Sequence, residues 1–249
     1  MSELKKFHIC QPYLPNGITF ASLGCGLISI LLSSQGLIIP AAYLILACVF
    51  LDFLDGYLAR RLSLASSFGK QLDSLVDIVS FGVGPISLTW QHLTAAVDFG
   101  FWILPFFVMQ IVAGAFRLAR FNLQEPKQSS RDDSLGLTIT QSGMILTMTV
   151  LADLSLEYTT IPAWVFALLS FFLSCLMISK LIFSSPTREM LRFELVLAYM
   201  VIGIVLLYFS SIFVMLLVMY LVGLTVSVAR QLFSLPTRSG TWESDYPQE

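Results

Sequence analysis

Four aspartates lie at the ends of two long apolar runs, where charged residues are otherwise rare. Asp52 and Asp55 close the first run, and Asp73 and Asp77 open the second. Spacings of i,i+3 and i,i+4 place each pair on one face of its own helix. The connection between the runs is short, which predicts antiparallel neighbouring helices. All four carboxylates can then converge at about the same depth.

A cluster of carboxylates at the edge of the apolar layer of a membrane indicates a bound cation. A charged side chain at the bilayer centre costs about 2.5–3.5 kcal/mol on insertion scales, and less near the interface. Like charges packed together also repel one another. A hard divalent cation removes both costs, and oxygen-only ligands suit Mg²⁺, Mn²⁺ or Ca²⁺. The competing interpretation is that the aspartates cap helix ends or pair with Arg60, Arg61 and Lys70.

Residues between the aspartates extend this candidate site toward a phosphate ligand. Gly56 and Gly69 flank the connection, and a missing side chain lets a ligand approach the backbone. Arg60 lies about two turns from Asp52, where it can meet a phosphate or a nucleotide ribose. Metal bound by oxygen ligands, beside small residues and an arginine, is a way in which proteins hold a diphosphate. A carboxylate at the metal edge could take the proton from an attacking hydroxyl.

The elements that position these residues are membrane spans. Of the 249 residues, 56% are hydrophobic and 12% are charged, whereas a soluble domain carries about 25% charged residues. We therefore expect an all-α polytopic membrane protein, with spans of about 20 residues. Eight stretches qualify, at 18–34, 38–60, 70–90, 100–121, 135–155, 162–183, 193–209 and 211–233. Only Ser210-Ser211 separates the last two, so seven spans is the alternative.

Charge distribution predicts the orientation. All 14 Lys and Arg fall on one side of the eight-span arrangement, and the positive-inside rule makes that side cytoplasmic. The active site and both termini are then cytoplasmic, and we expect the membrane to be that of a prokaryotic cell. We expect residues 1–17 to be a cytoplasmic lead-in to the first span and residues 234–249 to be a disordered cytoplasmic tail. Nothing in the charge pattern predicts a nucleic-acid partner.

The aspartate segment resembles a known family motif. It reads Asp52-x2-Asp55-Gly56-x2-Ala59-Arg60-x8-Gly69-x3-Asp73-x3-Asp77 and is similar to the motif of CDP-alcohol phosphotransferases at all eight fixed positions. The resemblance implies a six-helix membrane core, here residues 18–185, followed by two additional helices at 186–233. It also implies two divalent ions, Mg²⁺ or Mn²⁺, and displacement of CMP from a CDP-linked donor by an alcohol. Members of this family are commonly homodimers.

The same resemblance implies residue roles. Asp52, Asp55 and Asp73 would be metal ligands, and Asp77 would complete the metal site and act as general base. The residues that would line the CDP site are Gly56, Ala59, Arg60 and Gly69.

Four further segments resemble the phosphatidylserine synthase branch of this family, in which CDP-diacylglycerol donates to L-serine. They are Pro15-Asn16-x2-Thr19, Ser80-Phe81-Gly82-Val83-Gly84-Pro85, Arg117-Leu118-Ala119-Arg120-Phe121-Asn122 and Ser179-Lys180. Asn16 and Thr19 thereby join the predicted CDP-binding set. The predicted acceptor pocket consists of Arg117, Arg120, Asn122 and Lys180.

Serine is a zwitterion whose carboxylate needs a cation, and Arg117 and Arg120 lie one helical turn apart. The alternative is that these arginines and Lys180 only anchor the protein on its positive side. Members of the branch often carry Gly-Leu-Pro-x-Pro, where this chain has Gly136-Leu137-Thr138-Ile139-Thr140. Another acceptor therefore stays open: glycerol 3-phosphate, inositol phosphate or choline.

An ion-coupled transporter is the alternative from another functional class, because intramembrane carboxylates also line ion pathways. Carriers place such groups near the midplane and show repeat symmetry, whereas these aspartates lie near one face. His92 lies at the opposite end, and we expect it to be an interfacial residue without a role in the site.

Overall fold

The computed structural model describes residues 14–62, 66–96, 100–123, 134–155 and 161–183, with scattered helical positions between 214 and 228. Within these residues the protein is helical apart from one short strand pair. The α-helices are α1 (Leu14–Ser34), α2 (Ile38–Arg61), α3 (Ser67–Asp77), α4 (Gly84–Ala96), α5 (Leu104–Leu123), α6 (Ile139–Ser155) and α7 (Ala163–Ile178). A 3₁₀ turn at Phe101–Ile103 precedes α5, and β1 (Ser134–Leu135) pairs antiparallel with β2 (Ile182–Phe183).

Four helical stretches of the described chain are long and apolar enough to cross a membrane. They are Pro15–Ser34, Ile38–Ala59, Ser67–Ala95 and Phe101–Leu123, which confirms the first four predicted spans. Helix α7 is apolar but only 16 residues long. The predicted spans at 193–209 and 211–233 and the tail 234–249 lie outside the described residues, except for the scattered helical positions. Most of the lead-in 1–17 also lies outside, and α1 already includes its last four residues.

The fifth and sixth predicted spans have wrong boundaries. Helix α6 begins at Ile139 instead of near residue 135, because Gly136 has a φ of 76°, a left-handed conformation that interrupts a helix. Thr138 then caps α6. Its hydroxyl accepts a hydrogen bond from the Gln141 N–H at 3.1 Å, and the Gln141 side-chain oxygen accepts one from the Thr138 N–H at 3.3 Å. This reciprocal capping box stands where the branch pattern has its first proline.

Helix α7 ends five residues before the predicted limit of 183. Ser179 leaves the helix with φ −57° and ψ 155°, and the chain continues in extended form to β2. Apolar residues in an extended segment carry the same hydropathy as apolar residues in a helix. A prediction from hydropathy alone therefore extended the sixth span to residue 183 and included the strand.

Helices α3 and α4 form one membrane-length stretch with a π-helical segment, Ile78–Val83, between them. Gly84 donates its N–H to the carbonyl of Val79, five residues back. Pro85 has no N–H to offer the carbonyl of Phe81. The extra residue of the π turn rotates the face that carries Asp73 and Asp77 relative to α4, and such turns often lie at functional sites.

Two buried clusters hold the bundle together. One joins α2, α4, α5, α6 and α7 through residues such as Ile45, Leu88, Phe107 and Phe166. The second surrounds the π segment and includes Phe81, Leu137, Ile139, Leu173, Met177 and Leu224. Small residues allow close approach here, since a Cβ on Gly143 would lie 2.5 Å from the Phe81 carbonyl oxygen. The π segment is thus packed directly against α6.

Candidate active site

Three of the four aspartates form one compact carboxylate cluster. One oxygen from each of Asp52, Asp55 and Asp73 lies within 4.8 Å of the other two. Asp52 and Asp73 are half-buried, and Asp55 is 6% exposed. The C-terminal half of α2 and the middle of α3 therefore place these side chains together, as the helical spacing predicted.

Asp77 lies one turn further along α3 and is 8% exposed. It is not one of the three residues whose oxygens share the 4.8 Å group. It interacts electrostatically with Asp52, Asp55 and Asp73 and with Arg117 of α5. Asp77 therefore links the carboxylate cluster to the helix that carries the predicted acceptor pocket.

Two of the three cations that the ion-pair interpretation requires, Arg61 and Lys70, contact other groups. Arg61 donates to the Tyr57 hydroxyl at 3.0 Å, and its guanidinium lies 5.8 Å from that ring. Lys70 donates to the carbonyl of Phe121 at 3.1 Å and lies over its ring. The oxygen-only donor set thus fits a divalent cation.

Helix α1 supports the cluster from a third side. The Thr19 hydroxyl donates to Asp55 Oδ2 at 2.7 Å, with the carbonyl oxygen of Pro15 3.0 Å away. A neutral donor of this kind orients a carboxylate for a metal. The sequence predicted Thr19 as a CDP contact and gave no signal of its bond to Asp55.

The remaining predicted CDP residues surround the cluster on three helix ends. A Cβ on Gly69 would lie 3.2 Å from Ser66 Oγ and 3.3 Å from Asn16 Oδ1, so α1 and α3 approach closely at this glycine. Ser66 caps α3 by accepting from the Gly69 N–H at 3.0 Å. Gly56 and Ala59 are half-buried on α2. Arg60 belongs to α2, and its side chain lies outside the described part of the structure.

Two predicted acceptor residues face α3. Arg117 is 6% exposed, and its Nε has no hydrogen-bond partner within the described chain. Asn122 donates to Ser74 Oγ at 2.9 Å and to Gln71 Oε1 at 3.4 Å. Its own Oδ1 is buried without a donor among the described residues. One unpaired donor and one unpaired acceptor therefore lie on the α5 side of the site.

The other two predicted acceptor residues are placed differently. Arg120 donates to the carbonyl oxygens of Ile178 and Ser179, at 3.2 and 3.4 Å. Lys180 is exposed. The structure thus brings Arg117 and Asn122 to α3, whereas Arg120 contacts the end of α7.

His92 differs from its prediction as an interfacial residue. It is 5% exposed, and its Nε2 lies 2.7 Å from Oδ2 of Asp153, which is 4% exposed. Asp153 Oδ1 also accepts from the backbone N–H of Ile161. The partners are 61 residues apart, and nothing in the local sequence pattern connects them.

Comparisons with known proteins agree with the geometry. Residues 12–176 match the CDP-alcohol phosphatidyltransferase family. A Bacillus subtilis protein named CDP-diacylglycerol–serine O-phosphatidyltransferase is 34% identical over 176 residues, which cover 69% of this chain and 89% of that protein. A Helicobacter pylori protein of the same name is 34% identical over 139 residues, which cover 56% of this chain and 57% of that protein.

Archaetidylserine synthase of Methanothermobacter thermautotrophicus is 38% identical over 112 residues, which cover 44% of this chain and 47% of that protein. The matched region thus spans about half of the Helicobacter and Methanothermobacter relatives and most of the Bacillus one. With its membrane-length helices and its family match over residues 12–176, the chain is an integral membrane protein that belongs to the CDP-alcohol phosphatidyltransferase family.

Proposed function

We propose that this protein transfers the phosphatidyl group of CDP-diacylglycerol to the hydroxyl of L-serine, releasing CMP and forming phosphatidylserine. The observation that carries the proposal is the cluster of Asp52, Asp55 and Asp73, with oxygens within 4.8 Å of one another and buried Asp77 one turn away. Family membership and the printed names of the relatives support serine as the acceptor.

In this proposal Asp52, Asp55, Asp73 and Asp77 hold two divalent ions, Mg²⁺ or Mn²⁺. Bound there, the ions would neutralise the diphosphate and stabilise the charge that develops on the leaving CMP. Thr19 fixes the orientation of Asp55 by its 2.7 Å hydrogen bond. Asp55 and Asp77 are buried and Asp52 and Asp73 are half-buried, which restricts water at the cluster and favours an alcohol over hydrolysis.

Asp77 acts as the general base. Its carboxylate takes the proton of the serine hydroxyl while that oxygen attacks the phosphorus that bears the diacylglycerol. The new bond joins the serine oxygen to this phosphorus, and the bond from phosphorus to the oxygen of CMP breaks. CMP leaves with the electron pair of that bond. Asp77 interacts electrostatically both with the cluster and with Arg117, which suits a base that receives the acceptor from the α5 side.

The donor nucleotide lies over the helix ends that carry Asn16, Thr19, Gly56, Ala59 and Gly69, with Arg60 on its phosphates or ribose. Close approach of α1 and α3 at Gly69 leaves little room for a side chain, since a Cβ there would lie 3.2 Å from Ser66 Oγ and 3.3 Å from Asn16 Oδ1. A larger residue there would push Asn16 away and close the space in which the diphosphate lies.

The unpaired atoms on α5 match the two charges of serine. Arg117 Nε is an unpaired donor and Asn122 Oδ1 an unpaired acceptor, both buried within the described chain. We assign the serine carboxylate to Arg117 and the ammonium group to Asn122, with Arg120 and Lys180 at the pocket margin. Buried groups left unpaired by the wrong ligand give strong discrimination. Choline lacks the carboxylate, and glycerol 3-phosphate and inositol phosphate lack the ammonium group.

For the whole protein we propose eight spans, with 18–185 as the catalytic core and 186–233 as two further helices. The site and both termini face the cytoplasm of a prokaryotic cell, and the protein acts as a homodimer. The basic residues on one side of the predicted spans support this orientation.

The test is an acceptor screen with purified protein, CDP-diacylglycerol and Mn²⁺. CMP release is followed with serine, glycerol 3-phosphate, inositol phosphate and choline in separate reactions, and the lipid product is identified by mass. We expect phosphatidylserine and an equal amount of CMP with serine alone, and neither after chelation of the metal. Metal-dependent release with another acceptor alone would contradict serine while keeping the transfer chemistry. Absence of release with every acceptor would contradict the enzyme itself.

A further inference from the structure

Arg120 connects three segments that are distant in sequence. Its guanidinium donates to the carbonyl oxygens of Ile178 and Ser179, at the end of α7. A Cβ on Gly136 would lie 3.2 Å from Arg120 Nη2 and 3.0 Å from the Ser179 carbonyl oxygen. The guanidinium therefore lies where α5, the end of α7 and the segment before α6 meet.

That segment, residues 134–138, is called the strap below. It is held to the last turn of α7 and to the chain that follows by β1–β2 pairing and by two backbone hydrogen bonds. Gly136 N–H donates to the carbonyl of Leu181 at 2.8 Å, and Leu137 N–H donates to that of Leu176 at 3.2 Å. The φ of 76° at Gly136 turns the strap toward α6. Arg120 thus secures the same end of α7 to which the strap is bonded.

The strap ends where the two sides of the active site meet. Ile139, the first residue of α6, is buried. Its Cδ1 lies 3.5 Å from the place that a Cβ on Gly82 would occupy, and its Cγ1 lies 3.1 Å from the corresponding place on Gly114. Gly82 follows Asp77 in the π segment, and Gly114 lies one turn before Arg117 on α5. Ile139 thus packs between the π segment that follows Asp77 and the turn of α5 that precedes Arg117. A shift of the strap would move Ile139 and thereby change the distance between these two segments.

We infer that Arg120 is a positioning residue, which fixes the strap against the end of α7 and thereby sets the placement of Asp77 relative to Arg117. The neighbouring arginines then have different tasks, since Arg117 binds the acceptor and Arg120 binds carbonyl oxygens of the protein. The kinetic consequence of this inference rests on the proposed function, whereas its structural consequence does not.

The test compares Arg120→Ala with Arg117→Ala by hydrogen exchange and by steady-state kinetics on the full-length protein in detergent. In Arg120→Ala we expect the strap amides Gly136 and Leu137 to exchange at least about tenfold faster. Its kcat should fall roughly ten- to a hundredfold, since small misplacements of reacting groups cost that much, with an acceptor KM within about twofold of wild type. Arg117→Ala should raise the acceptor KM roughly tenfold or more and leave strap exchange unchanged.

Two further variants separate positioning from general damage. Arg120→Lys keeps a donor for the carbonyl oxygens and should recover most of the lost kcat and protection. Gly136→Ala disturbs the strap directly. In the double variant Arg120→Ala/Gly136→Ala, the fold-loss of kcat should be smaller than the product of the two single losses, because both changes act through the same segment.

A selective rise in acceptor KM with unchanged strap exchange in Arg120→Ala would overturn the inference and make Arg120 an acceptor ligand. If no acceptor supports CMP release, the proposed function fails, and the exchange comparison still decides whether Arg120 holds the strap.

Discussion

The bundle contains buried aspartates at both ends, and the surroundings of these aspartates differ between the two ends. Asp153 has its partners within the protein, with His92 at 2.7 Å from one oxygen and the Ile161 N–H on the other. At the other end Thr19 donates to Asp55, and one oxygen from each of Asp52, Asp55 and Asp73 lies within 4.8 Å of the other two. A buried charge that is paired and hydrogen-bonded can serve the fold alone. Carboxylates that lie against one another instead offer the oxygen ligands that a divalent cation prefers.

The two ends of the bundle also differ in the regularity of their helices. Near Asp153 the irregular element of the described chain is the single 3₁₀ turn Phe101–Ile103 that leads into α5, whereas a six-residue π segment directly follows Asp77. Irregular helical turns cost stability and persist where the surrounding packing imposes them. Mutations at the two ends should therefore separate loss of chemistry from loss of stability.

Asp77→Asn should have the largest effect on activity. The amide cannot accept the serine proton, so turnover should fall about 10²–10⁴-fold, while donor binding is largely kept. Initial CMP release and binding of labelled CDP-diacylglycerol measure the two quantities. Asp153→Asn is the matched control and should keep turnover of the folded protein within about twofold. Turnover near wild type in Asp77→Asn would remove its assignment as the base.

Thr19→Val should have an intermediate effect. The change keeps the side-chain shape and removes the hydroxyl that bonds Asp55, a loss that typically costs about 10–100-fold in metal affinity or activity. Activity titrated with Mn²⁺ should show a higher half-saturating concentration.

Thr89→Val is the control for this prediction. Thr89 is buried and bonds the carbonyl of Pro85, much as Thr19 approaches that of Pro15, but it lies away from the aspartates. Equal metal dependence in the two variants would show that Thr19 serves only its helix.

Asp153→Ala should have the smallest effect on catalysis and a large one on stability. Removing one partner of a buried pair typically costs about 3–5 kcal/mol, so thermal inactivation in detergent should begin at a lower temperature. Turnover by the surviving folded fraction should stay within about twofold of wild type. A loss of turnover without a loss of stability would mean that the far end contributes to the chemistry.

The sequence predicted the aspartate cluster because its physical causes are local. Helical spacing alone placed Asp52 and Asp55 on one face and Asp73 and Asp77 on another. The first four spans also followed from local hydropathy. The ends of α6 and α7 did not, because Leu135 and Ile182 are apolar residues in extended backbone. A Thr-x-x-Gln capping pattern beginning at Thr138 was present, and it identifies the true start of α6.

Other features depend on contacts between distant segments. The pairing of His92 with Asp153 and the bond from Thr19 to Asp55 join residues 61 and 36 positions apart. Two similar arginines, Arg117 and Arg120, point to different partners because successive turns of α5 meet α3 and the end of α7. Sequence spacing predicted the depth of both arginines in the membrane, but it could not predict which groups each of them contacts.

Mn²⁺ binding tests the central claim without relying on any substrate. Electron paramagnetic resonance of purified wild type, Asp73→Asn and Asp153→Asn, titrated with Mn²⁺, reports the bound fraction directly. We expect wild type and Asp153→Asn to bind alike, and Asp73→Asn to bind at least about tenfold more weakly, because it removes one charged oxygen ligand from the cluster. Equal Mn²⁺ binding by wild type and Asp73→Asn would contradict the assignment of the carboxylate cluster as the metal site.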